Sequence, residues 1–314
     1  MEKKIKIGSR GSKLAMIQAN MVRAALQQAH PDLTAEGRIE IVEITTSGDR
    51  IQDRSLMEAG GKGLFTKEIE EALLNGSIDL AVHSMKDMPT VLPKGLYIPC
   101  LLKREDPRDA FFSEKAQTLE ELPAGSVVGT ASLRRQAMVL ANRPDLKVEV
   151  FRGNVDTRLN KLKSGVVDAT LLALAGLNRM GISDLAQSVI DVDVFLPAVA
   201  QGAVGIEIRQ EDAELAALLK PIHCPQTALR VAAERAYLYV MDGSCRTPIA
   251  GYASAPDNNG EMLLKAWVAD PQGTDIYEDK MSAPVHTIDD AQKLGHDLGV
   301  KLRARLPEGF VYTG

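Results

Sequence analysis

The chain has 314 residues, enough for two or three domains that each bury a core. Hydrophobic residues make up 45% and charged residues 25%, an ordinary balance for a globular protein in water. The net charge of −5 argues against general nucleic-acid binding, so any affinity for a polyanion must come from local clusters of Arg and Lys. No apolar run reaches the ~18 residues of a spanning helix, and Cys100, Cys224 and Cys245 are too far apart to read as a disulfide framework. The opening "MEKKIKIGSR" enters strand-like alternation at once, which predicts a reduced, cytosol-like setting with no signal or transit segment in the sequence as it stands.

In chain order, "KIKIG" reads as a strand, followed by a helix opening at Ser12, then the strand "RIEIVEIT". Leu14, Ile17, Met21, Val22 and Ala25 keep helical spacing on the first helix. The polar, glycine-rich stretch 45–63 reads as a loop, with a lid and a plain linker as equal alternatives. The helix "LFTKEIEEALLNG" and the strand "IDLAVHS" follow, and Cys100 falls in the apolar strand "YIPCLL" as a small core residue. The pattern restarts after "REDPRDAF" with "SVVGT", a helix "SLRRQAMVLAN", "VEVF", a helix "VDTRLNKLKSG" and "VDATLLAL". This βαβα order predicts a mainly parallel sheet covered by helices in each of two lobes, with a cleft between them. "LPAVAQGAVGIEIR" supplies another strand, with Gly202 and Gly205 as expected hinge points. From about Pro225 a long helix, three strands joined by "PDNNG" and "DPQG", and a final helix predict a separate α+β domain.

Three strand-to-helix junctions share a composition suited to anions: "GSRGSK", "GTASLRR" and "FRGNVDTR". Ser12, Thr130, Ser132 and Asn154 are natural caps or polar donors there. Arg134 and Arg135 sit in a first helical turn, where a cation is disfavoured by roughly 0.3–1 kcal/mol. Arg10, Arg152 and Arg158 occupy similar places, so a shared anion site accounts for all of them; the alternative is arginines paired with nearby acids. No GxxxxGK[ST] loop is present, which favours separated carboxylates over a nucleotide. "AVHSMKDMP" ends a strand in His83, Ser84, Lys86 and Asp87; an ionised Asp87 there can stabilise a cation or move a proton, or simply cap a turn. His223 and Cys224 lack further ligands in register, so no metal site is expected. Cys245, on the turn "MDGSCRTPIAG" beside Arg246, is a nucleophile, an attachment point or an inert thiol.

Together "GGKGLFTKEIE", "DLAVHSMKDMPT", "REDPRDAF", "GTASLRRQ", "FRGNVDTRL", "LPAVAQGAVGIE" and "GSCRTPIAGYA" resemble the porphobilinogen deaminase (hydroxymethylbilane synthase) family over nearly the whole chain. The resemblance implies an α/β fold of two periplasmic-binding-protein-like (type II) domains with mixed sheets and a C-terminal α+β domain. The implied boundaries are 1–102 plus 202–222, 106–198, and 225–314. It implies a transferase that condenses four porphobilinogens head to tail with loss of ammonia, then releases hydroxymethylbilane for uroporphyrinogen-III synthase. The implied cofactor is dipyrromethane in thioether linkage to Cys245. Asp87 would be the catalytic group, stabilising the azafulvene cation. Lys86, Ser84, Thr130, Ser132, Arg134, Arg135, Gly153 and Arg158 would bind the cofactor, and Arg10, Ser12, Gln18, Lys62, Arg152, Arg179 and Gln201 the substrate. A monomer without metal, nucleic-acid or membrane partners is implied, in the cytoplasm or, after removal of a transit peptide, the plastid stroma. Two positions depart from the family pattern: Glu58 stands where some members have lysine, and Gly243-Ser244-Cys245 where Gly-Gly-Cys is common.

Overall fold

The computed structural model describes residues 4–50, 63–241 and 247–310. Its first pass lays down β1 (Ile5–Ser9), α1 (Lys13–Ala29), β2 (Ile39–Glu43), α2 (Ser47–Arg50), α3 (Lys67–Leu74), β3 (Leu80–Ser84) and β4 (Leu96–Leu101). Then come β5 (Asp109–Ser113), β6 (Val127–Gly129), α4 (Leu133–Asn142), β7 (Lys147–Glu149), α5 (Val155–Lys163), β8 (Ala169–Ala173), α6 (Leu174–Met180) and β9 (Ser188–Val189). The chain continues through β10 (Val204–Arg209), α7 (Ala213–Leu219) and α8 (Pro225–Val240), and ends with β11 (Ile249–Ala253), β12 (Glu261–Ala269), β13 (Ile276–Pro284) and α9 (Ile288–Arg303).

Two compact units result. The described parts of one are 4–50, 63–105 and 203–228; those of the other are 106–202, 229–241 and 247–310. The first sheet has the order β2-β1-β3-β10-β4, the second β7-β6-β8-β5-β9. Each has a parallel β-α-β core with one antiparallel strand inserted: β10 against β3 and β4, and β5 against β8 and β9. The inserted strand follows its parallel core in the first unit and precedes it in the second. The sheets are therefore mixed, as the family resemblance implied, rather than mainly parallel as the βαβα pattern alone predicted. Periodicity marks a strand but does not say which way its neighbour runs.

In the first unit α1 packs Val22 and Leu26 against Ile7, Leu80, Val82 and Ile206 on one face of the sheet. On the other face α3 packs Ile69 and Leu73 against Ile78 and Ala81. Alternation along β3 thus sends Val82 and Ser84 toward α1, and Ala81 and His83 toward α3. Each fully buried Leu or Ile contributes about 1.5–3 kcal/mol of transfer free energy.

In the second unit Phe111, Val128, Ala137 and Leu171 share a core with Ala250, Trp267 and Ala269 from the three-stranded antiparallel sheet β11-β12-β13. That shared core makes residues 229–241 and 247–310 part of the second unit, with β11–β13 keeping a sheet of their own. The β12–β13 turn docks on α4: Gln136 donates to the Pro271 carbonyl at 3.1 Å. Gly273, at φ +68°, lies so close that a Cβ would stand 2.2 Å from the Ala137 carbonyl oxygen.

The segment before β10 is held in an uncommon conformation. Ala200 has φ +59°, and its N–H donates to Glu234 Oε2 at 2.6 Å, while Glu234 Oε1 accepts from the Ala253 N–H at 2.8 Å. Of the two expected hinge glycines, Gly202 also has positive φ (+89°), but Gly205 lies inside β10 with its Cα against Met85.

Candidate functional site

In the first unit the candidate residues gather at the carboxyl ends of β1 and β3. Ser12 caps α1, accepting from the Ala15 N–H at 3.3 Å. Arg10 is paired with Asp49 through Nε (3.2 Å) and Nη2, and its guanidinium lies 4.3 Å from the centre of the Phe65 ring. Burial raises the Asp49 pKa, but hydrogen bonds from Arg10 and Thr46 outweigh it and hold the carboxyl below its ordinary value. Gln18, buried on α1, donates to Ser84 Oγ at 2.9 Å, and Ser84 donates back to Gln18 Oε1 at 3.2 Å. β3 then breaks into a single 3₁₀ turn, Met85–Asp87, closed by the Met88 N–H on the Met85 carbonyl at 3.2 Å. Pro89 cannot continue that turn. Asp87 and Lys86 are half-buried on it, and no described residue hydrogen-bonds or pairs with the Asp87 carboxylate.

In the second unit the helix N-termini are formed as expected. Ser132 caps α4 by accepting from the Arg135 N–H at 3.4 Å, and Thr130 Oγ1 accepts from the Ser132 N–H at 3.1 Å. Asn154 caps α5 through the Thr157 N–H at 2.8 Å. Gly153, exposed before that cap, has φ +128°, and a Cβ there would meet the Thr157 side chain at 2.7 Å.

The structure changes the reading of Arg134 and Gln201. Arg134 is 3% exposed; its Nη2 donates to Asp109 Oδ2 at 2.6 Å and its Nη1 to the Leu196 carbonyl at 2.8 Å. Arg135 donates Nη2 to Asp109 Oδ1 at 2.7 Å and Nη1 to the Leu171 carbonyl at 2.8 Å. Gln201 Nε2 lies 3.0 Å from the same Asp109 oxygen and 2.6 Å from the Pro107 carbonyl. Asp109 is fully buried, and although burial raises its pKa, Arg134 and Arg135 hold the carboxyl far below its usual range. The anion that offsets a cation pair at the start of α4 is therefore this internal carboxylate. Arg134 and Gln201 both hydrogen-bond to it. The sequence held one signal for Asp109: a lone acid opening the otherwise apolar strand "DAFF" must find a cation when buried.

Arg152 and Arg158 stand differently. Like Arg134 and Arg135, each has a buried Nε with no hydrogen-bond partner, but no described acid pairs with either. Burial pushes the Arg158 pKa down to about 10, with Arg135 and Arg152 adding like-charge repulsion. Three guanidinium groups thus lie close together, and among the described residues the only acid paired with any of them is Asp109, which Arg135 shares with Arg134. The arrangement fits a ligand bearing several carboxylates, such as a dipyrromethane with acetate and propionate arms. Arg179, in the last turn of α6, donates to the Gly202 carbonyl at 2.6 Å. Cys245, Lys62 and Glu58 lie outside the described residues.

Residues 5–217 match the family model "Porphobilinogen deaminase, dipyromethane cofactor binding domain", and residues 228–304 match "Porphobilinogen deaminase, C-terminal domain". The porphobilinogen deaminase of Nitrobacter hamburgensis is 55% identical over 97% of this chain and 94% of its own length. The chloroplastic porphobilinogen deaminase of Oryza sativa subsp. japonica is 53% identical over 98% of this chain and 85% of its own. A solved structure of the methionine-binding protein MetQ is 16% identical, with a TM-score of 0.45, over 70% of this chain and 89% of that one. With two family models covering most of its length and relatives identical at more than half of the aligned positions, the chain belongs to the porphobilinogen deaminase family and contains that family's dipyrromethane cofactor-binding domain.

Proposed function

We propose that the chain performs the family's stepwise condensation of four porphobilinogens, releasing ammonia at each step, with Cys245 as the thioether anchor of the dipyrromethane and Asp87 as the catalytic carboxylate. The observation that carries this reading is the Arg135–Arg152–Arg158 group, which holds more positive charge than Asp109 balances. When bound, the dipyrromethane supplies a covalent primer whose free pyrrole end accepts the first substrate.

The protein's own groups divide the work by charge. Arg152 and Arg158 bind carboxylate arms through guanidinium forks, with Arg135 adding to their field. Because these arms are substituents of rings, fixing them fixes the orientation of the ring that reacts. Asp87 has the opposite task. Its carboxylate, at a strand end with no described partner, hydrogen-bonds pyrrole N–H groups and stabilises positive charge as ammonia departs. Ser12, Ser132 and Asn154 are committed to helix caps, so their share is to keep the N-terminal N–H groups of those helices aimed outward.

The same reading takes the enzyme as a monomer of three domains, divided at the boundaries implied by the resemblance. It works in the cytoplasm or plastid stroma, and its product passes to uroporphyrinogen-III synthase for heme or chlorophyll synthesis. Among the described residues, no helix is long and apolar enough to cross a membrane. The test is turnover of porphobilinogen by wild type, Asp87→Asn and Asp87→Glu. Both variants should lose most of kcat while keeping the covalent mass of the cofactor. An Asp87→Asn protein with wild-type kcat would end the assignment.

A further inference from the structure

Behind the turn that bears Asp87, on the α3 face of the first sheet, lies a cluster that the proposed chemistry does not use. His83 on β3 is 5% exposed, Glu207 on β10 is 0% and Glu70 in the first turn of α3 is 8%. His83 Nε2 and Glu207 Oε2 are 3.0 Å apart. The other oxygen of Glu207 and one oxygen of Glu70 are buried without any hydrogen-bond partner. A bare carboxylate is costly to bury, and one imidazolium can offset only one of two. Two ionised carboxylates within one buried cluster repel as well. The least costly state of the cluster therefore contains a proton that three separate, solvated groups would not retain.

We infer that Glu70, His83 and Glu207 form a buried proton-holding cluster in which Glu70 is the neutral acid, and that Glu70 and His83 are positioning residues for the strand end carrying Asp87. The cluster joins three elements that meet there: α3, β3 and the returning strand β10. His83 is four residues before Asp87 on the same chain segment. Burial raises the Glu70 pKa, Glu207 raises it further, and Thr66 and His83 oppose this only in part. Loss of the shared proton as pH rises places an uncompensated charge between α3 and β3 and disturbs the 3₁₀ turn they support.

Glu70→Gln is the direct probe, because the amide imitates the neutral acid. The link to Asp87 rests on the proposed function, whereas the proton itself can be read without turnover. In wild type, infrared difference spectroscopy across a pH titration should show the carbonyl stretch of a buried carboxylic acid persisting above the ordinary carboxyl range, absent in Glu70→Gln. A folded-state carboxyl held above its unfolded value loses stability as pH rises from the ordinary carboxyl range, ~4.3, to the folded one. The melting midpoint of Glu70→Gln should therefore gain on wild type across that window and keep the gain above it. The alkaline limb of kcat should move up by about one pH unit or more in the variant, with KM little changed. Glu207→Gln, which removes the repelling charge, should instead shift the wild-type acid band's titration downward. An absent band, parallel melting curves, superimposable pH profiles or a Glu70→Gln chain that does not fold would each overturn the inference. A porphobilinogen assay without product but with the band present would fault the functional reading alone.

Discussion

At the start of α4, Arg134 and Arg135 share the buried carboxylate of Asp109; beside the cap of α5, Arg152 and Arg158 have no acid among the described residues. Both places combine a helix N-terminus with adjacent cations, and the local sequences look equally suited to an anion. The difference lies in whether the fold supplies the counter-charge. Where it does, the terminal nitrogens of the arginines are occupied by Asp109, Leu171 and Leu196. Where no described residue does, burial of the cations costs stability, a cost offset when a ligand brings carboxylates.

The largest effect should come from removing the internal counter-charge. Asp109→Ala leaves two buried guanidinium groups unpaired and should cost about 3–5 kcal/mol in urea unfolding. The sign with pH is defined as well. The folded carboxyl is depressed, so its contribution is present above the unfolded value of ~3.9 and is lost as pH falls through that value toward the folded one. Asp109→Asn should accordingly show a flatter acid limb in its stability curve than wild type.

A change of opposite direction is expected at α5. In a cofactor-free Cys245→Ala background, Arg158→Met should leave stability unchanged or raise it by about 1 kcal/mol, because a desolvated cation is removed. Arg134→Met in the same background should lower it by several times that amount, since Asp109 loses a partner. Equal losses for the two would erase the distinction between scaffold and site. Citrate as a carboxylate probe should raise the melting midpoint of Cys245→Ala, by about 2.7 kcal/mol of added stability at a concentration of 100 Kd. That gain should vanish in Arg152→Met/Arg158→Met. The smallest expected effect is at Ala200: glycine takes φ +59° without the Cβ penalty, so Ala200→Gly should be within about 1 kcal/mol of wild type and leave both arginine groups undisturbed.

Much of this fold was legible in the sequence because it is local. Ser12, Ser132 and Asn154 cap their helices as their side chains dictate, and β1, β3, β6 and β8 fall where short Val- and Ile-rich runs predict. Strand β7 ends at Glu149, short of the expected "VEVF", and Phe151 turns into the core instead. The short helices α6 and α7 and strands β5 and β9 carry too few turns or residues to announce themselves. The direction of β10 and β5 is a property of pairing, which composition does not record. The roles of the arginines were half legible. Their placement at helix starts predicts a need for negative charge, but the source of that charge is set by tertiary contact. Asp109 lies 25 residues before Arg134, in strand β5 rather than in α4, and nothing near Arg134 points to it. His83, Glu70 and Glu207 were equally hidden, coming together from three separated segments.

The intact mass of purified protein tests the central claim most directly. Wild type should be heavier than its sequence by one dipyrromethane unit, and Cys245→Ala should match its sequence mass. Arg152→Met/Arg158→Met, with Cys245 intact, should remain largely unmodified because the uncompensated arginines no longer hold the ligand for attachment. Wild type at bare sequence mass, or the double arginine variant carrying the full added mass, would contradict the account.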